Sequence, residues 1–311
     1  MPYRLDSPRH TNDKIKQIVC ECMSDAAVQL TQKRKHKSKG LHEAIHETRK
    51  HFKEIRAVLR LLRAEPGVNF DSENSWFREQ ARSLATLRDA KAMLETCDKL
   101  SAFFAKQLDH DPFPALHRKL DARLDVVLAE HPQLGKELAA MAKALLVAQS
   151  RVQDWPLQDK GFALFHEGLL TSYRAARSHC RKCHANPQSA NFHTWRKWIK
   201  THLYHTQLLS AAWPGELENR TQALKMLADL LGDDHDLSVL EAQIEQAPKH
   251  FGSRGEVGQL RKLLAQRHHQ LRSKALALGG RLYAEKPKAH IHRLESYWAC
   301  WVNDAKTLQS V

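Results

Sequence analysis

His46-Glu47-Thr48-Arg49-Lys50-His51-Phe52-Lys53-Glu54-Ile55-Arg56 is the stretch whose pattern decides the fold. Residues at i, i+3, i+4 and i+7 share one side of an α-helix. At about 100° per residue, Arg49, Lys50, Lys53, Arg56 and Arg60 all fall within about 80° of His46. Ile45, Phe52, Ile55, Leu59 and Leu62 fall on the opposite half. The stretch is therefore an amphipathic helix with an apolar stripe for a core and a cationic stripe on its other side.

A shift of 147 residues, from His46 to His193, lays this pattern on a second copy. Arg49, Lys50 and Lys53 then align with Arg196, Lys197 and Lys200, Leu61-Leu62 with Leu208-Leu209, and Arg88-Asp89 with His235-Asp236. An internal repeat of this length points to two similar helical units, over 1–155 and 156–311. Helices are expected over 12–36, 41–63, 74–108, 113–130, 134–151, 159–184, 190–211, 217–231, 234–247, 257–284 and 289–307. Between them stand Pro66-Gly67, Pro112, Pro114, Pro132, Pro156, Pro187, Pro214-Gly215, Pro248 and Pro287, residues that stop or start helices. Gly279-Gly280 falls inside an expected helix and predicts a kink or a stop there.

The bulk composition agrees with an all-α chain. Hydrophobic residues make up 42% of the 311, enough for a packed core, and only 12 Gly and 11 Pro are present. No apolar run approaches the ~18 residues of a membrane span. Met1 to Thr11 carries no apolar signal segment, so the expected location is cytoplasmic. Six cysteines are scattered along the chain. Cys180-Arg181-Lys182-Cys183-His184 has the spacing of a c-type haem attachment, but that attachment takes place outside the cytoplasm. Cys20 and Cys22 could join Cys180 and Cys183 in a four-thiolate zinc site only with a poor one-residue gap. No metal or cofactor is therefore expected.

Charge is the feature that narrows function. Lys and Arg number 49 against 35 Asp and Glu, a net charge of +14 before any of the 20 His titrates. Such an excess predicts attraction to polyanions. From Arg174 to Gly215 there is no Asp or Glu at all. Like charges at i,i+4 destabilise an isolated helix, so the unmixed stripe is best explained by a counter-anion. His46 and His193, each three residues before an Arg, are expected to face the ligand and to add charge as pH falls toward ~6.5. Asp89 and Asp236 would repel an anion and are expected to orient neighbouring cations or cap helices.

The two His-x-x-Arg helices, together with Leu231-Gly232-Asp233-Asp234-His235-Asp236 downstream, resemble the CHAD domain, the conserved histidine α-helical domain. The resemblance covers nearly the whole chain. Glu54 and Thr201 depart from it where a second basic residue is usual, as does Ala85 where the first copy would have Gly. The resemblance implies two four-helix-bundle-like halves related by a pseudo-twofold axis and forming one domain. It also implies a basic surface for inorganic polyphosphate, and an association with polyphosphate granules and their proteins. Carried across position by position, the ligand-facing residues are His46, Arg49, Lys50, Lys53, Arg56, His193, Arg196, Lys197, Lys200 and His202, to which the cationic stripe adds Arg60.

Three other functions compete. Nucleic acid would use the same charge but would call for exposed aromatics to stack on bases. Trp195, Trp198 and Trp213 are the only clustered aromatics, and Trp195 lies on the core side. An enzyme using His46 or His193 as nucleophile would need metal-holding carboxylates or a phosphate-cradling glycine loop, and neither stands beside the two motifs. A membrane-surface role would need apolar faces that the core already uses. The expectation is thus non-catalytic polyphosphate binding, with nucleic acid as the alternative ligand.

Overall fold

The structure is a computed structural model that describes residues 3–32, 38–105 and 113–307. Eleven α-helices and no strand occur among the described residues. They are α1 (Thr11–Thr31), α2 (Ser38–Leu61), α3 (Phe70–Ser83), α4 (Ala85–Phe104), α5 (Pro114–Ala129), α6 (Leu134–Gln153), α7 (Ala163–Ala185), α8 (Ser189–Leu208), α9 (Pro214–Gln246), α10 (Arg254–Leu282) and α11 (Pro287–Thr307). The expected helical stretches 33–36 and 106–108, and the break at Pro112, lie outside the described residues. No helix is long and apolar enough to cross a membrane among the described residues.

Punctuation in the sequence sets most helix starts. Pro114, Pro214 and Pro287 open α5, α9 and α11, where the missing N–H has no helical partner anyway. Ser253 caps α10 by accepting from the Glu256 N–H, and the Glu256 carboxylate in turn accepts from the Ser253 N–H.

Three boundaries differ from expectation. The helix expected over 74–108 is broken at Leu84 (φ −93°, ψ 2°) into α3 and α4. Neither Gly nor Pro marks the break. Instead the Arg49 guanidinium donates to the Ala81 carbonyl, one of the acceptors that a helix end leaves free. Conversely, the helices expected over 217–231 and 234–247 are one continuous α9. Its Gly232 costs about 1 kcal/mol relative to Ala, while the helix is pinned just beyond by buried Asp234, which accepts from His268 Nδ1 (2.6 Å) and Arg272 Nε (2.7 Å). Nor does α10 stop at Gly279: a Cβ there would come to 2.5 Å from the Trp195 ring, so the glycine makes room for the indole.

The helices bury two clusters. The larger draws on both sequence units, with Ile15 and Met23 of α1, Phe52, Ile55, Leu59 and Leu62 of α2 and its extension, and Leu237, Leu240 and Ile291 from the second. The smaller lies among α7 to α10 around Tyr173, Phe192, Trp195, Leu227 and Leu282. A fully buried Phe or Ile side chain contributes about 2 kcal/mol, whereas a like-charge i,i+4 pair costs only a few tenths. The apolar side of α2 is therefore ample to hold an unmixed cationic side in place. Where α7 crosses the end of α2, Gly168 lies against the Leu61 backbone with no space for a Cβ.

Candidate anion-binding groove

α2 and α8 pack against each other, and α4 and α9 flank them. Between the four helices runs a groove of about 410 Å³. His46, Arg49 and Lys53 enter it from α2, and Arg196 and Lys200 from α8. α4 contributes Arg88, Asp89 and Lys99, while α9 contributes Asp229, Asp233, His235 and Asp236. The two cationic stripes thus converge on one space.

Their charges are unevenly balanced. Six Lys and Arg side chains face four carboxylates, and the carboxylates come mainly from α9 rather than from the stripes themselves. Asp233 pairs with Lys99 at 2.7 Å and Asp229 approaches Lys200 at 3.8 Å. Arg88 is held by Glu95 at 2.9 Å. Lys53 has neither hydrogen bond nor ion pair among the described residues. Burial, then the neighbouring Arg196, Arg49, Lys200 and Arg88, push its ammonium down from 10.5 to about 7. Arg196 Nε is buried without a hydrogen-bond acceptor among the described residues. Burial, followed by Arg88 and Lys53, likewise lowers His46.

The sequence-expected residues divide into four groups. His46, Arg49, Lys53, Arg196 and Lys200 line the groove. His193 sits one ring behind it: its Nδ1 shares a hydrogen with His235 Nδ1 at 3.0 Å, and Lys197 is exposed beside the pair. Burial and Arg196 bring His235 down to about 4. Arg56 and Arg60 continue along α2 beyond the groove. Arg56 Nε donates to Asn74 Oδ1 at 2.9 Å, and the Arg60 guanidinium lies 6.0 Å from the Trp198 ring centre. Burial, with Arg56 and Arg63 nearby, lowers Arg60 to about 10.

Two expected residues lie elsewhere. Lys50 pairs with Glu47 at 3.2 Å and borders a different cavity, between α1 and α2. His202 is buried, 4% exposed, with Nδ1 at 2.8 Å from the Tyr283 hydroxyl and its ring packed against Tyr173 and His290. Six residues beyond Arg196 on a helix is the opposite side, so its motif position does not bring it to the groove. Burial holds it well below the usual imidazole range.

Three basic groove residues are not among the expected contacts. Arg88 and His235 align under the 147-residue shift, and that pairing was a signal of shared position. Lys99 carries no such signal. Of the α9 carboxylates only Asp236 is expected beside the cations; Asp229 and Asp233 lie outside the acid-free run from Arg174 to Gly215 and reach the groove across the helix interface.

The cysteine alternatives do not form. Cys180 and Cys183 are 4% and 0% exposed in the smaller core, where burial raises them to about 11 and about 12. A haem could not reach both without opening that core. Cys22 lies in the other cluster, so no four-thiolate site assembles from these residues.

Search of curated proteins found no match to the chain. A family model described as the CHAD domain matches residues 24–245, a span that holds every residue lining the groove. With well over half its length matched, the chain belongs to the CHAD-domain family.

Proposed function

We propose that the groove binds inorganic polyphosphate without catalysis, with His46, Arg49, Lys53, Arg88, Arg196, Lys200 and His235 as the contacts inside it. One observation carries this reading: the half-buried Lys53 ammonium, surrounded by Arg49, Arg88, Arg196 and Lys200, has no hydrogen bond or ion pair among the described residues. A cluster of this kind is costly until an anion enters. Phosphate oxygens would accept charge-assisted bonds from the Arg and Lys groups. Asp229, Asp233 and Asp236 keep the flanking cations in position and limit the net charge.

A polymer is favoured over a single phosphate because the basic face continues from Lys53 to Arg56 and Arg60. From His46 to Arg60 the helix advances about 21 Å. A chain of phosphates can follow it with no sequence to read. Nucleic acid is less well served, because among the described residues no Trp, Tyr or Phe on which bases would stack lines the groove.

The test is competition at one salt concentration. Labelled polyphosphate bound to the protein is challenged with unlabelled polyphosphate, orthophosphate, and single- and double-stranded DNA and RNA, matched by phosphate content. Displacement by polyphosphate alone at low concentration is expected. Equal or better displacement by a nucleic acid would overturn the assignment.

A further inference from the structure

On another face of α2, α1 and the N-terminal segment close over a cavity of about 340 Å³. Three side chains of different chemistry meet there: Cys22 of α1, and His51 and Glu54 of α2. His51 and Glu54 are three residues apart and share a helix face. One ligand atom from each of the three lies within 4.8 Å of the other two. His51 Nδ1 is 2.9 Å from Glu54 Oε2, and Cys22 Sγ is 3.8 Å from the same oxygen.

The charge balance here is the reverse of the groove's. Glu54 is 4% exposed and Cys22 5%. Among the described residues Glu54 has no Lys or Arg ion partner, only His51. Glu21 and Asp25 line the same cavity, with Arg4 and Lys50 bordering it. In a protein of net charge +14, a buried carboxylate facing a thiol and an imidazole, with no Lys or Arg ion pair among the described residues, is a site short of positive charge.

The spacing suits a specific ion. Zinc bonds of about 2.3 Å to sulfur and about 2.0–2.2 Å to nitrogen and oxygen, at tetrahedral angles, place N and O ligands about 3.3 Å apart and S and O about 3.6 Å apart. The first separation must open by about 0.4 Å and the second close by about 0.2 Å, changes that side-chain rotation supplies. Mixed thiolate, imidazole and carboxylate donors favour zinc over magnesium or calcium.

We propose that Cys22, His51 and Glu54 form a zinc-binding site, distinct from the groove and independent of its ligand. On coordination the Cys22 thiol gives its proton to solvent, the hydrogen that His51 Nδ1 shares with Glu54 is released while Nε2 carries the ring's remaining hydrogen, and a water from the cavity fills the fourth position. The ion clamps α1 to α2.

The full chain, stripped of metal with a chelator that is then removed, is titrated with Co²⁺ as a coloured substitute and then with Zn²⁺. Thiolate ligation gives a near-ultraviolet charge-transfer band that surface histidines do not. The band is expected to saturate near one equivalent, to be displaced by Zn²⁺, to vanish in Cys22→Ser and to persist in Cys20→Ser. Glu54→Gln is expected to weaken Zn²⁺ binding at least about tenfold. Absence of the band in the wild type, its survival in Cys22→Ser, or its loss in Cys20→Ser overturns the site. Should Cys22→Ser not fold, unchanged Zn²⁺ affinity in Glu54→Gln does so instead.

Discussion

Lys53→Met keeps an unbranched apolar stem and removes the charge at the centre of the groove. Burial and four neighbouring cations bring the Lys53 ammonium from 10.5 to about 7. At about 1.4 kcal/mol per pKa unit, the charged form carries a penalty of at most about 5 kcal/mol in the folded chain. Screening of a half-buried group by solvent reduces this to about 2 kcal/mol. Because the folded value lies below the unfolded one, the unfolded chain holds a proton that the folded chain lacks anywhere between the two. Stability therefore rises with pH across that window, and below it the penalty is felt in full. Lys53→Met is expected to stabilise the ligand-free protein by about 2 kcal/mol near pH 6 and by less than half of that near pH 10. Urea unfolding of both proteins at the two pH values, in phosphate-free buffer, measures the difference, and titrating histidines shared by both proteins largely cancel. A variant no more stable than wild type near pH 6, or a gap that does not shrink with pH, would refute the reasoning. The same variant should bind polyphosphate about tenfold more weakly, since a charge-assisted bond contributes about 1.5–3 kcal/mol. Stability and affinity thus move in opposite directions.

Other consequences can be measured alongside. Gly168→Ala forces a methyl into the Leu61 backbone and should cost about 2–3 kcal/mol by urea unfolding. Asp234→Ala strips buried His268 and Arg272 of their shared acceptor and should cost about 3 kcal/mol, with α9 losing amide protection around Gly232. If polyphosphate releases counterions as nucleic acids do, Arg196→Ala should lower the slope of log affinity against log salt by about one. Polyphosphate affinity should increase as pH falls through the range near 6 and below, because His46, His193 and His235 are held down in the free protein and a bound anion favours their charged forms.

The amphipathic helices were legible because burial follows periodicity: Phe52, Ile55 and Leu59 on one side and Trp195 and Ile199 on the other copy are all buried as their spacing predicts. Boundaries set by tertiary contact were not. The break at Leu84 has no local breaker and ends where Arg49 reaches Ala81, while Gly232 and Gly279 look like breaks but sit in packed helices. In the candidate groove, residues read as sharing one helix face came together in the same space, as His46, Arg49, Lys53, Arg196 and Lys200 did. His202 did not, because its motif position says nothing about which side of α8 it occupies. Lys99 and the α9 carboxylates, and equally the meeting of Cys22 with His51 and Glu54, depend on how separate helices are juxtaposed, which no spacing along the chain encodes.

The central claim is that two cationic helices face one another across a space meant for a phosphate chain. Binding of defined-length polyphosphate to wild type and to Arg49→Glu/Arg196→Glu, at about 0.15 M salt, tests it directly. Each Arg loses about 1.5–3 kcal/mol of charge-assisted bonding and gains a repulsive carboxylate, so affinity should fall more than about a hundredfold with the helical circular dichroism unchanged. A folded double variant that binds polyphosphate as tightly as wild type would contradict the account.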